Sequence, residues 1–160
     1  MTIYMTSQDK DQDFRKATRI VFRLLKFRLR SEHELRNSLT AKNLPAPTVN
    51  QAIQYFKDTQ IVNDRFFAQQ WISSRLKKPF GFIRIRLELK QKGISAGIIQ
   101  ETIAEAARDY DEQTIVNELA KHRRYQYKNL DREKMKQRMY GYLMRRGFNA
   151  NCVVKTINAL

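Results

Sequence analysis

Apolar residues recur at helical spacing along most of the chain, and one arrangement of them is written more than once. In FGFIRIRLELKQKGISAGIIQETI, residues 80–103, Ile85 and Leu89 make one stripe, Gly93 a stop, Ser95 a cap, and Ile99 and Ile103 a second stripe. This predicts helix, tight turn, helix. Moved 50 residues back, the template falls on Leu35, Leu39, Lys42, Leu44, Val49 and Ile53; moved 54 forward, it falls on Met139, Leu143, Arg146, Phe148, Val153 and Ile157. One unit is therefore written three times.

Each copy ends its middle helix the same way, in KNL (42–44), KGI (92–94) and RGF (146–148). A cation suits the negative end of the helix dipole, Asn or Gly suits a left-handed C′ position, and the apolar residue folds back on the last turn. The third helix of each copy then starts at Pro47, Ser95 or Asn149 and carries apolar residues at i, i+4 and i+7: Val49, Ile53, Phe56; Ile99, Ile103, Ala106; Val153, Ile157, Leu160. First helices are expected from about Ala17 with Ile20, Val21, Leu24, Leu25 and Phe27 inward, from Asn63 or Asp64 with Phe67, Ala68, Trp71, Ile72 and Leu76 inward, and from Asp111 with Ile115, Leu119 and Ala120 inward. Ser31 followed by Glu34 has capping-box spacing and opens the second helix. The predicted organisation is a polar, disordered or loosely docked tail (1–14) and three-helix repeats over 15–62, 63–109 and 110–160. A unit of that size is marginal alone, so the repeats should stack into an elongated, curved all-α body.

Charge changes the picture next. The formal net charge is +15, and it is banded: residues 15–36 and 75–92 carry +6 each, residues 121–146 carry +8, and residues 100–120 carry −5. Banding of this kind favours an anionic partner, nucleic acid or an acidic protein surface, and opposes self-association, so a monomer is expected. No apolar run reaches the roughly 20 residues of a spanning helix, and the first residues lack the apolar core of a signal peptide, which predicts a cytosolic protein with no membrane partner. The single cysteine, Cys152, fits a reducing compartment.

Candidate chemistry is thin. The chain has no phosphate-cradling glycine loop and no Cys/His cluster at metal-ligand spacing, so neither cofactor nor metal is expected and the protein is not read as an enzyme. His33 and His122 read as surface residues, Cys152 as half-buried packing, and Glu101 with Glu105 as a solvated face. Arg84, Arg86 and Lys90 are different, because cations flanking the central Ile85/Leu89 stripe would line up in a stacked array. The expected partner-binding set is Arg84, Arg86, Lys90 and Lys92, with Arg36, Lys77, Lys78, Arg123, Arg124, Arg145 and Arg146. For Lys92 and Arg146, as for Lys42, helix-dipole chemistry is an equal explanation. Helix-turn-helix reading of DNA sequence is disfavoured: the helix after each turn exposes Asn50, Gln51 and Gln54, or Gln100, Glu101 and Glu105.

The segments SEHEL, NDRFFAQQWI, PFGFIRIRLELKQKGI and YLMRRGF together resemble the RecX family, bacterial regulators of the RecA recombinase, over about residues 17–160. Asn43 departs from the Gly frequent there, and Phe82–Ile83 fills a spacer that often contains Pro. The resemblance implies tandem three-helix repeats lying in the groove of a RecA filament on single-stranded DNA, inhibiting ATP hydrolysis, strand exchange and filament growth, and so modulating recombination, DNA repair and the SOS response. A rival expectation is a sequence-blind protein that competes for single-stranded DNA.

Overall fold

The computed structural model describes residues 7–160, with side chains from residue 8. Among them the chain is all-α: α1 (Ser7–Phe27), α2 (Glu32–Thr40), α3 (Ala46–Asp58), α4 (Asp64–Leu76), α5 (Phe82–Gln91), α6 (Ala96–Ala106), α7 (Glu112–Gln126), α8 (Arg132–Arg145) and α9 (Ala150–Asn158). These are three successive three-helix repeats. The chain forms two compact units, one of residues up to Phe67 with Lys92–Ile94, the other of Ala68–Gln91 with Ser95–Leu160.

The repeated template is a burial template. Leu35, Ile85 and Met139 are buried, as are Leu39, Leu89 and Leu143; Leu44, Ile94 and Phe148; Val49, Ile99 and Val153; and Ile53, Ile103 and Ile157. The stops are equivalent in backbone as well, since Asn43, Gly93 and Gly147 all sit at positive φ, 57°, 76° and 79°. Asparagine reaches that region at modest cost because its short polar side chain is tolerated there. Ser31 and Glu34 form the full capping box, Ser95 and Asn149 cap the third helices, and Asp111 caps α7. Asn63 rather than Asp64 caps α4, its Oδ1 accepting from the Phe66 N–H at 3.0 Å.

Three expectations are corrected. Residues 7–14 of the expected tail belong to α1, while residues 1–6 lie outside the described residues. The reason is Phe14, which packs on the first core and stands edge-on to Tyr55 at 5.9 Å, so a helix extended to it buries an aromatic ring. Asp9 in the first turn also suits the positive end of the dipole. Phe27, expected inward, is 78% exposed because α1 ends there. Trp71 and Leu76 are half-buried rather than core, although Phe67, Ala68 and Ile72 are buried.

Consecutive repeats are joined by one junction used twice, each instance within a single unit. In the first unit, the Ser31 hydroxyl donates to the Lys92 carbonyl at 2.6 Å and Asp64 Oδ1 accepts from the Glu32 N–H at 2.8 Å. In the second, the Gly81 N–H donates to the Arg146 carbonyl at 2.9 Å and Glu112 Oε1 accepts from the Phe82 N–H at 3.0 Å. The start of a middle helix is thus satisfied by the stop and the first-helix acid of the next repeat. Burial opposes ionisation of Asp64 more than the Glu32 N–H favours it, so its carboxyl lies above its ordinary value. The approach is close enough to require glycine: a Cβ at Gly93 would overlap the His33 side chain, and one at Gly147 the backbone of Arg84.

Candidate partner interface

The eleven cations singled out from the sequence fall into two groups. Five are used by the fold. Arg36 donates to Glu32 Oε1 and Asn50 Oδ1, both at 2.7 Å. Lys92 Nζ lies 2.7 Å from Glu34 Oε1, beside a two-pronged Arg28 contact to the same carboxylate at 2.8 and 2.9 Å. Burial would raise the Glu34 carboxyl, but the Arg28 and Lys92 hydrogen bonds outweigh it and hold it at about 2. Arg146 donates to the carbonyls of Lys78 at 2.8 Å and Pro79 at 3.0 Å, with its guanidinium over Phe80 and Tyr142. Arg123 donates to the Tyr127 hydroxyl at 3.2 Å and lies 4.3 Å from the centre of the Tyr142 ring.

Arg84 is the fifth, which corrects the expectation that it shares a flank with Arg86 and Lys90. At 100° per residue Arg84 falls on the other side of the Ile85/Leu89 stripe from those two. Half-buried, it donates to Glu88 at 3.0 Å and covers the Phe80 ring at 4.0 Å. Glu88 also receives Arg75 Nε at 2.6 Å and Trp71 Nε1 at 3.0 Å. Burial alone would raise its carboxyl; the three donors more than offset that and lower it. Lys92 and Arg146 are likewise junction clamps more than dipole partners, since each reaches into the repeat before its own.

The remaining six, Lys77, Lys78, Arg86, Lys90, Arg124 and Arg145, are exposed and have no ion pair among the described residues. Around Arg86 and Lys90 lies an apolar feature not read from the sequence. Ile83 and Leu87, one turn apart, lie on the solvent face of α5, opposite Ile85 and Leu89, and are 47% and 56% exposed. The signal was present in FIRIRLELK: a second i, i+4 apolar pair about half a turn from the first. Ile83, Arg84, Leu87 and Gln91 line an open groove of about 370 Å³ with Met144 and Arg145 at the end of α8. Its lining also includes Glu88, paired with Arg84, so the groove combines an apolar floor with a cation, Arg145, that has no ion pair among the described residues, a composition suited to a protein surface.

A second cationic site lies in the third repeat. Lys121, Arg124, Lys128 and Arg132 line a cleft of about 720 Å³ with Tyr125, Tyr127 and Leu130, and none of the four cations has an ion pair among the described residues. Tyr125 is 75% exposed, and the Lys128 ammonium lies 5.1 Å from the centre of its ring. Lys121, Lys128 and Arg132 were not singled out from sequence, because only the folded turn after α7 brings them together.

Nothing among the described residues forms a group of three or more His, Cys, Asp or Glu able to hold a metal ion. Cys152 packs against the third core, and burial pushes its thiol up, away from the reactive thiolate. Glu105 accepts from Gln69 at 3.3 Å, and Glu101 is exposed. No helix among the described residues is long and apolar enough to cross a membrane.

Comparison with known proteins decides the family. The first, second and third three-helix domains of RecX match residues 17–56, 63–103 and 109–156. The chain belongs to the RecX family. Relatives named regulatory protein RecX include one from Haemophilus influenzae (strain PittEE), 32% identical over 136 residues, covering 84% of this chain and 88% of that protein. Another is from Chlorobium phaeobacteroides (strain BS1), 28% identical over 151 residues, covering 94% and 97%. The crystal structure of RecX from Lactobacillus salivarius superposes with a TM-score of 0.81 at 19% identity, over 94% of this chain and 97% of that one. The RecX relatives are regulatory proteins by name, and the RecX fold found in the crystal is the fold seen here.

Proposed function

We propose that this RecX-family protein binds the filament that RecA forms on single-stranded DNA, and that it inhibits ATP hydrolysis, strand exchange and filament growth without catalysing a reaction itself. The observation that carries this reading is the solvent face of α5, where exposed Ile83 and Leu87 are edged by Arg86 and Lys90, cations with no ion pair among the described residues. A surface meant only for solubility has no use for the apolar pair, and a surface meant only for phosphate has no use for it either. Together they fit a protein partner with apolar residues bordered by acids. A regulator seated on adjoining subunits favours one filament geometry by its differential affinity and so opposes the changes coupled to ATP turnover.

The test is titration into DNA-dependent RecA ATPase at two salt concentrations. Inhibition well below one molecule per RecA subunit, and tighter binding to the coated strand than to RecA or DNA alone, is the expected result. Inhibition appearing only when bare DNA is saturated would overturn it.

A second reading has its own observation. The cleft of Lys121, Arg124, Lys128 and Arg132 with exposed Tyr125 combines backbone-neutralising cations with a stacking ring, the chemistry of sequence-blind single-strand binding. In that reading the protein competes for the strand, and its affinity for bare DNA falls steeply with salt.

A further inference from the structure

The third helices of the three repeats agree at two of their apolar positions and differ sharply at the third. In the first repeat that position is Phe56, fully buried, with Phe22 edge-on to its ring at 5.1 Å. In the third repeat it is Leu160, packed against the core of Val116, Ala120 and Phe148. In the second repeat it is Ala106. There the structure has an open cleft of about 530 Å³ between the C-terminal halves of α4 and α6, walled by Ile72, Leu76, Thr102, Ala106 and Tyr110.

The walls ask for an apolar occupant. Thr102 spends its hydroxyl on the Ile98 carbonyl at 2.6 Å, and the Tyr110 hydroxyl is buried without a hydrogen-bond partner among the described residues, so the exposed lining is mainly the aliphatic surface of Ile72, Leu76 and Ala106. Burial and the nearby Glu112 push the Tyr110 hydroxyl up to about 12, so this wall is neutral at any ordinary pH. The mouth is different in sign from the face of α5. Glu105 and Asp109 stand on it against Lys77, within the band 100–120 that carries −5.

We propose that this cleft is a docking pocket for one large apolar side chain, phenylalanyl or leucyl, of a partner protein, flanked on the partner by lysine or arginine. The choice of occupant comes from the molecule itself: the other two repeats fill the same register position with Phe56, inside α3, and with Leu160, just past the end of α9. The choice of flank comes from the Asp109 carboxylate at the mouth and from the acidic band 100–120 around it. A single buried anchor edged by complementary charge is how interfaces concentrate their affinity. This pocket is separate from the α5 face and does not depend on what that face binds.

The full chain, labelled at its Ile, Leu and Ala methyl groups, tests this by NMR titration with capped five-residue peptides: phenylalanine between paired lysines, glycine between paired lysines, phenylalanine between paired glutamates, and toluene as a small apolar probe. The lysine-flanked phenylalanine peptide should move the Ile72, Leu76 and Ala106 methyls saturably, and bind about tenfold or more tighter than the glycine peptide, the scale of one buried aromatic side chain. Glutamate flanks should weaken it. Ala106→Phe should abolish the shifts at Ile72 and Leu76 and raise Tm, because the protein then fills its own pocket. Should that ring not be accommodated, Ala106→Leu reproduces the third repeat and should do the same. Equal response to the glycine peptide, indifference to the sign of the flanks, or toluene binding with no gain from lysines would each overturn the proposal, as would unchanged peptide binding in both Ala106 variants.

Discussion

Arg36 and Arg86 occupy the same position in the first and second repeats, one residue past the first buried position of the middle helix, yet they do different work. Arg36 is held by Glu32 and Asn50, and Lys57 approaches the same Glu32 at 2.8 Å. Burial would raise the Glu32 carboxyl, and these cations lower it overall. At Arg86 the residue one turn back is Phe82 and the counterpart of Asn50 is Gln100, so these positions offer no carboxylate; the guanidinium is exposed and has no ion pair among the described residues. One register position therefore gives scaffold in one repeat and a free contact in the next. The same holds at the stops: Lys92 and Arg146 clamp the repeat before them, while Lys42, in the first of the three repeats, is exposed and has no ion pair among the described residues. A cation is available to a partner where the stacking of repeats does not claim it.

Reversing Arg86 and Lys90 together to Glu should weaken inhibition of RecA ATPase about a hundredfold, since like charges set against an acidic surface cost several kcal/mol. Circular dichroism and Tm should be unchanged; preserved inhibition would move the contact elsewhere. Charge reversal of Lys121 and Arg124 then separates the two readings of function: loss of bare-strand binding with inhibition intact assigns the third-repeat cleft to DNA alone.

At the scaffold end the largest effect should come from Glu34→Gln, which deprives Arg28 and Lys92 of their shared carboxylate and should cost about 2 kcal/mol near pH 7, read by denaturant unfolding. The sign of its pH dependence follows from a folded value of about 2 against an ordinary 4.5. Its stabilisation is complete above pH 4.5 and is lost as pH falls through 2, so variant and parent should converge in strong acid. A deficit that persisted undiminished at pH 2 would contradict an ionic role.

Smaller still, Arg36→Ala should cost about 1 kcal/mol for a half-exposed pair and leave inhibition within about twofold. That result, beside the first, is the contrast in its sharpest form. Smallest, Asn43→Gly should stabilise by about 0.5 kcal/mol, because glycine meets φ 57° without the Cβ penalty. Thermal unfolding resolves either sign.

How far the sequence reaches is visible in these same residues. Leu35, Leu39, Gly93, Ser95, Ile99 and Ile103, and their counterparts, could be read as core, stop and cap because each depends on neighbours within about one helical turn. Spacing and residue type carry that information completely. Exceptions at the edges follow the same logic: Phe14 extended α1 past the expected tail because its partner, Tyr55, lies in another helix.

What the sequence determined by itself was the all-α class, the register of three repeats, their stops and the absence of recognisable catalytic motifs, all set by local periodicity and capping. Which cations remain free was set instead by contacts between distant parts of the chain. Arg36 is claimed by a residue 14 positions away, Lys92 by one 58 positions away and Arg146 by one 68 positions away. Those distances exceed any helical period, so the same letters Arg and Lys read alike along the chain and differ only once the repeats have stacked.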